Sequence, residues 1–279
     1  MKNVISGADP APPTAHPRTK EKEVFEDYLL PRYVWSEEEC KNVELTHVKP
    51  ETWSDHFAYA TVWCLRFSWD LITGYTFAKK LRLGRFSSSQ WALRICFLET
   101  VAGVPGMMFA MVRHLKSLRT LQRDHGWIHT LLEDAENERM HLLVAMKLYQ
   151  PGKAFRYGVL LTQGVWSNYL FLMYLINPRY CHRFVGYLEE QAVKTYTELL
   201  KDIDSGKYPE FLEKCDDIAR NYWHLSPEAT WRDVFAQMRC DEVYLHIFFF
   251  FFAHFGNITA RNNFFLIDNR PITEELTTV

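Results

Sequence analysis

The chain has no C-x-x-C pair. Its six cysteines (Cys40, Cys64, Cys96, Cys181, Cys215 and Cys240) are scattered through 279 residues, which argues against a zinc ribbon or a small disulfide-stapled scaffold. It lacks a basic field: the net charge is −2, so nucleic acid is not an expected partner. Strand-like alternation of any length is absent, which points to an all-helical fold. No stretch reads clearly as a signal peptide. The KEKEVFED run near the N-terminus lacks the Arg-rich, acid-poor character of a strong transit peptide, which leaves targeting undecided. What the chain does have is apolar and aromatic side chains, at 48% and 15% of residues, with nine Trp. That composition provides for a sizeable core and suits a membrane interface as well.

Residues 1–50 are Pro-rich and charged without a sustained period, and read as an extended arm ending in a capped approach near Pro50–Ser54. Helical periodicity then begins, and five long segments follow one another before a last long helix. The first, Trp53–Ala78, is strongly aromatic and carries Arg66 and Asp70 at i,i+4, close enough to pair on one face. The second, Ser89–Leu118, holds Glu99 within an otherwise apolar run, where a carboxylate has to be paired, protonated or ligated. Gly103 and Gly106 in it permit close approach of a neighbouring backbone, and Pro105 is a place for a kink. The third, Leu121–Tyr149, contains EDAENERMH and stops at Gln150-Pro151-Gly152. The fourth, Ala154–Ile176, carries no charge from Tyr157 to Pro178. At 1.5 Å per residue that run is about 33 Å long, enough for a bilayer. Its Thr162, Gln163, Ser167 and Asn168 fit a buried or interfacial helix equally well. A fifth helix covers Arg179–Ile203, and Ser226-Pro227-Glu228 reads as the N-cap of the last.

Glu138 and His141 lie three residues apart, so both can reach one metal ion from one helix face. Alone, the pair has a plainer reading as two common residue types on a solvated face. The wider pattern weighs against that reading. Glu99, Glu138-x-x-His141, Glu189 and Glu242 fall on four of the long helices, the second, third, fifth and last, at intervals that allow helical hairpins. Carboxylate and imidazole ligands of this kind suit iron or manganese, and four carboxylates would neutralise two divalent ions.

The segments LETVAGVPGM, EDAENERMH, HRFVGYLEEQAVKTYTELL and RCDE closely resemble the alternative oxidases, di-iron ubiquinol oxidases of mitochondria, and most of all the short protist form. The likeness runs from about Val43 to Tyr244. It implies a ferritin-like di-iron four-helix bundle inside an all-α monomer of six long helices. It also implies a homodimer lying on the matrix face of the inner membrane without crossing it. Two iron ions would be held by Glu99, Glu138, His141, Glu189 and Glu242, with Tyr196 as the redox-active tyrosine. Arg94, Leu98, Ala192 and Thr195 match positions of the quinol pocket, with Arg66 and Asp70 beside it. Asn137, His182, Trp223 and Asp241 match positions that support the ligands or move protons. The implied reaction takes electrons from ubiquinol and reduces O2 to water without pumping protons.

One departure stands out. The family's last helix continues with a second Glu-x-x-His, and here that place is Leu245, with His246 rotated by a further 100°. Beyond Tyr244 the composition changes abruptly: eight of the chain's 20 Phe fall in the last 35 residues. A reading-frame or splice error after Tyr244 is the favoured explanation, against a genuine tail in which His246 or His254 compensates. The departure keeps a catalytically impaired membrane-associated paralogue, or the product of a wrong gene model, in play; a plastid-type quinol oxidase is a separate alternative from the same di-iron class.

Overall fold

The computed structural model describes residues 34–44, 46–81 and 86–260, with the backbone alone at 80, 252 and 254–260. Most of the expected N-terminal arm, part of the loop before Ser89, the side chain of His254 and the tail beyond 260 lie outside the described residues. The helices are α1 (Glu37–Lys41), α2 (Trp53–Ile72), α3 (Ser88–Thr120), α4 (Trp127–Leu148), α5 (Lys153–Ile176), α6 (Pro178–Asp204), α7 (Asp217–Tyr222) and α8 (Trp231–Ala260). Among the described residues the only β pairing is an isolated bridge between Lys214 and Thr230. The described residues are all-helical with six long helices, as expected.

Local chemistry sets the helix ends. Thr52 caps α2 in a reciprocal box with Asp55, and Ser87 caps α3 in the same way with Gln90. Asn177 caps α6, with Pro178 at its first position. Three expected boundaries move. The first long helix gives way after Ile72 to a turn at Gly74 (φ +74°) and a π-helical turn over Thr76–Lys80. The helix bearing EDAENERMH starts at Trp127, not near Leu121, because Leu121, His125 and Gly126 all take positive φ and form the turn from α3. The last helix starts at Trp231 rather than after Ser226. Asp233 accepts from both the backbone N–H and the hydroxyl of Thr230, which places the cap there.

The most extensive helix packing is α3 on α4 and α6 on α8, with α2 against α6 and α5 against α3 and α6. The α3–α4 contact depends on glycine. A Cβ on Gly106 would collide with Asp134 Oδ2 and lie 2.7 Å from the Leu131 carbonyl oxygen, and one on Gly103 would lie 3.3 Å from Glu138 Cβ. This close approach is what lets Glu99 and Glu138, on facing helices, share one pocket. Within the stretch read as an arm, α1 docks on α8: Cys40 and Cys240 are both buried with their sulfurs 2.8 Å apart. α8 continues past Tyr244, with Leu245, His246, Phe249, Phe250 and Ala253 all buried.

Candidate metal centre

Glu99 from α3, Glu138 and His141 from α4 and Glu242 from α8 converge in the bundle interior, each offering a ligand atom within 4.8 Å of the others. His141 Nδ1 faces three carboxylates, at 3.7 Å from Glu99 Oε2, 3.7 Å from Glu138 Oε2 and 3.5 Å from Glu242 Oε1. Glu189, buried on α6, sits against Glu242, whose charge helps to raise its pKa. Burial pushes the Glu99, Glu138 and Glu189 carboxyls above their ordinary range, and the charge of Glu242 adds to the shift in each. Burial works against a charged His141. Its hydrogen bond to Asp241 and the surrounding carboxylates overcome that and raise it to about 10.

Both oxygens of Glu138, Oε2 of Glu99, Oε2 of Glu242 and Nδ1 of His141 are buried and accept no hydrogen bond from the protein. Buried lone pairs that converge without donors are costly unless a cation receives them. Oxygen and imidazole donors without sulfur suit a redox-active first-row metal. The residues present therefore fit a carboxylate-bound metal ion.

Asp241 anchors the other side of the histidine. Its Oδ2 accepts from His141 Nε2 at 3.0 Å, Trp223 Nε1 at 3.0 Å and Asn137 Nδ2 at 3.2 Å. Its Oδ1 accepts from Trp35 Nε1 at 2.6 Å, and Asn137 also donates to Tyr222 Oη. The Asp241 bond fixes which ring nitrogen of His141 points inward. Three of the four supporting residues singled out in the sequence thus form one network. The fourth, His182, stands elsewhere: it bonds the Tyr174 hydroxyl at 3.1 Å and packs against Phe109 and Phe249. Burial lowers its pKa to about 3, with Arg113 contributing. Sequence reasoning missed Trp35 and Tyr222. No local pattern marks Trp35, which reaches its partner across 206 residues of sequence.

A cavity of about 410 Å3 opens between α2, α3, α5 and α6 and ends at the centre, where Glu99, Glu189, Tyr196 and Glu242 form part of its wall. Arg66, Arg94, Leu98, Ala192 and Thr195 line it, and the remainder is mostly apolar. Asp70 stands behind this wall and ties the two arginines together, accepting from Arg66 Nε at 3.0 Å and from Arg94 Nη2. Arg66 also donates to Thr195 Oγ1 at 2.7 Å and to the Gln191 carbonyl at 3.1 Å, and Arg94 donates to Thr73 Oγ1 at 2.7 Å. The i,i+4 pairing of Arg66 and Asp70 is thus present, inside a larger cluster. At the inner end the Tyr196 hydroxyl donates to Glu99 Oε1 at 2.7 Å, and burial together with that carboxylate holds its pKa well above the ordinary tyrosine value.

The second histidine position does not join the centre. Leu245 is buried in the apolar core, and His246 Nδ1 meets the Gly186 carbonyl at 2.8 Å.

The family profile described as alternative oxidase matches residues 35–253. The chain belongs to the alternative oxidase family. A mitochondrial alternative oxidase of Yarrowia lipolytica is 45% identical over 253 residues, covering 88% of this chain and 72% of that protein. One of Ajellomyces capsulatus is 49% identical over 219 residues, covering 75% and 61%. One of Trypanosoma brucei brucei is 46% identical over 211 residues, covering 76% and 62%. The chain thus spans only about three-fifths of the length of two of these relatives. The alternative oxidase match runs from residue 35 to 253, beyond the stretch from about Val43 to Tyr244 over which the sequence shows the likeness.

Proposed function

We propose that this chain oxidises ubiquinol and passes the electrons to O2 at a two-iron carboxylate centre, releasing water and pumping no protons. The observation that carries the reading is the largely apolar cavity with an arginine pair on its lining and the carboxylate cluster at its end. Glu99, Glu138, His141, Glu189 and Glu242 would hold the two iron ions. When bound, the iron pair supplies the chemistry that takes electrons from the quinol and delivers four of them to O2. Two quinols give four electrons and four protons, which with one O2 make two waters and two quinones.

The chain's own residues account for the other requirements. Arg66 presents its remaining guanidinium N–H groups to a quinol oxygen in the cavity, Thr195 holds that arginine by accepting from it while donating to the Gln191 carbonyl, and Asp70 fixes both arginines so that binding does not have to order them. The apolar wall excludes water from the reacting end. Tyr196 holds a proton on its hydroxyl beside Glu99, where it can be handed inward with an electron.

We further propose that the chain lies on the matrix surface of the mitochondrial inner membrane. α3 and α5 are both long and apolar enough to cross a bilayer. α3, however, carries Glu99 into the bundle interior, which favours surface attachment over spanning. α2 exposes Trp53, Phe57, Trp63, Phe67 and Ile72, and α5 exposes Tyr157, Leu160, Leu161, Val165 and Ile176. These two helices flank the cavity, so a lipid-dissolved quinol could enter without crossing water. A second exposed stripe, Met107, Met111, Leu115 and Leu118 on α3, supports a homodimer contact.

The test is quinol-dependent, cyanide-resistant oxygen uptake by membranes of cells expressing the full chain, with iron counted per chain. Uptake with about two irons per chain supports the proposal. Two irons without uptake favour a catalytically impaired relative, a reading motivated by Leu245. Uptake with plastoquinol in clear preference to ubiquinol would move the assignment to a plastid-type oxidase.

A further inference from the structure

Glu138 and His141 show what an i,i+3 pair does here: both side chains leave one face of α4 and enter the ligand cluster. The same offset on α8 pairs Glu242 with Leu245, which is 5% exposed and packed with Phe109, Val185 and Phe249 in the apolar core. The imidazole comes one residue later and turns by a further 100° around the helix. There His246 Nδ1 meets the Gly186 carbonyl, and its ring lies edge-on to Phe250 at 4.8 Å. The surroundings hold it in place. A Cβ on Gly186 would come within 2.8 Å of Phe250 Cε2, so α6 and α8 are fitted closely at this level. Glu190, His47 and Lys194 also face His246 from α6 and the segment before α2.

We infer that the centre is asymmetric. One metal position, among Glu99, Glu138, His141 and Glu242, has an imidazole. The other, on the Glu189 side, is served by carboxylates alone because Leu245 stands where a second imidazole would enter. This rests on the two-metal reading above. The two positions then differ in affinity by at least the 10–100-fold that losing the outer support of a ligand commonly costs, so metal loads in two separate steps.

The test uses the full chain stripped of metal and titrated with Mn2+ without oxygen, followed by equilibrium binding and electron paramagnetic resonance. The expected result is a tight first equivalent with a mononuclear spectrum. A second, weaker by about tenfold or more, brings the spin-coupled signal. Leu245→His should tighten the second step and leave the first alone, whereas His246→Phe should move neither. Two equivalents of equal affinity in the unaltered chain would overturn the asymmetry. Loss of an equivalent in His246→Phe would make His246 the missing ligand and overturn it as well. If Leu245→His does not fold, the unaltered chain and His246→Phe still decide. Binding of no Mn2+ at all would defeat the two-metal reading itself, a result distinct from equal affinities.

Discussion

Asp241→Asn separates what the network around His141 does for the fold from what it does for the metal. The substitution keeps the shape of the side chain and exchanges one acceptor oxygen for a donor. Oδ2 of Asp241 serves three donors and Oδ1 only Trp35, so the amide oxygen of the variant should take the three-donor place. Its NH2 group then faces the Trp35 indole N–H, donor against donor. One buried donor left without an acceptor costs about 1–3 kcal/mol. For a domain of this size that lowers Tm by about 2–4 °C per kcal/mol. The second effect is separate: His141 keeps its hydrogen bond and loses the anion behind it. Metal affinity should fall about 10–100-fold, or about 1.4–2.8 kcal/mol. Adding Trp35→Phe removes the opposed donor, so the double variant should recover stability without recovering metal affinity. Thermal unfolding of the metal-free forms and Mn2+ titration read the two effects apart. Unchanged metal affinity in Asp241→Asn, or recovery of both quantities by Trp35→Phe, would refute the division of roles.

Tyr196→Phe should fold and bind metal as the parent does but lose most quinol-dependent oxygen uptake, since only the hydroxyl on Glu99 is removed; full activity would sink its role. Gly106→Ala should destabilise by about 1–3 kcal/mol, because its Cβ meets the Leu131 carbonyl, part of the backbone. Chemical denaturation measures this loss, and a neutral result would mean that α3 and α4 can separate freely. Burial pushes the Asp55 carboxyl up, but Arg179, the Thr52 N–H and Arg183 prevail and hold it below its ordinary value. Its contribution is therefore present above the unfolded pKa of about 3.9 and lost as pH falls through the folded one. Asp55→Asn should flatten acid unfolding in that window and leave its midpoint less sensitive to pH. Chelation should lower Tm, by more as pH rises from 5 to 8. The raised carboxyls of the metal-free centre take up protons at low pH and stay uncompensated at high pH, and a pH-independent difference would count against the cluster as the metal site.

The long helices and most of the centre were legible because each leaves a mark at short range. Glu99 stands out as an acid in an apolar run, Glu138 and His141 as an i,i+3 pair, and Gly103 and Gly106 as gaps for a neighbour. What stayed hidden depends on partners far apart in the chain. Trp35 is an ordinary aromatic in a charged, Pro-rich stretch until α1 docks on α8. Tyr222 joins the network only through Asn137 from α4. His182 was grouped with Asp241 by likeness, yet its place on α6, two turns before Glu189, puts it beside Tyr174. The displaced start of α4 has a local cause in positive φ at Leu121 and His125, and non-glycine residues give little warning of that conformation.

The two ends of the cavity differ in charge, and the difference bears on the proposed reaction. Among the described residues no Lys or Arg pairs with Glu99, Glu138, Glu189 or Glu242; the only cation-forming group among them is His141. Apart from protons taken up by the carboxyls themselves, compensation in the proposed centre would come from bound metal, which would leave the inner end close to neutral. The Arg66, Arg94 and Asp70 group has two cationic side chains on one carboxylate, one positive charge in excess. Burial and the neighbouring Arg66 lower the Arg94 pKa to about 10, so it still carries its charge at neutral pH. A quinol must lose two protons as it loses two electrons. A fixed positive charge beside one of its hydroxyls in a low-dielectric cavity favours the anion that forms when the first proton leaves. The arginine end is therefore suited to ease deprotonation and the carboxylate end to receive electrons, which is why neither Arg66→Ala nor Arg94→Ala should behave as a simple loss of binding.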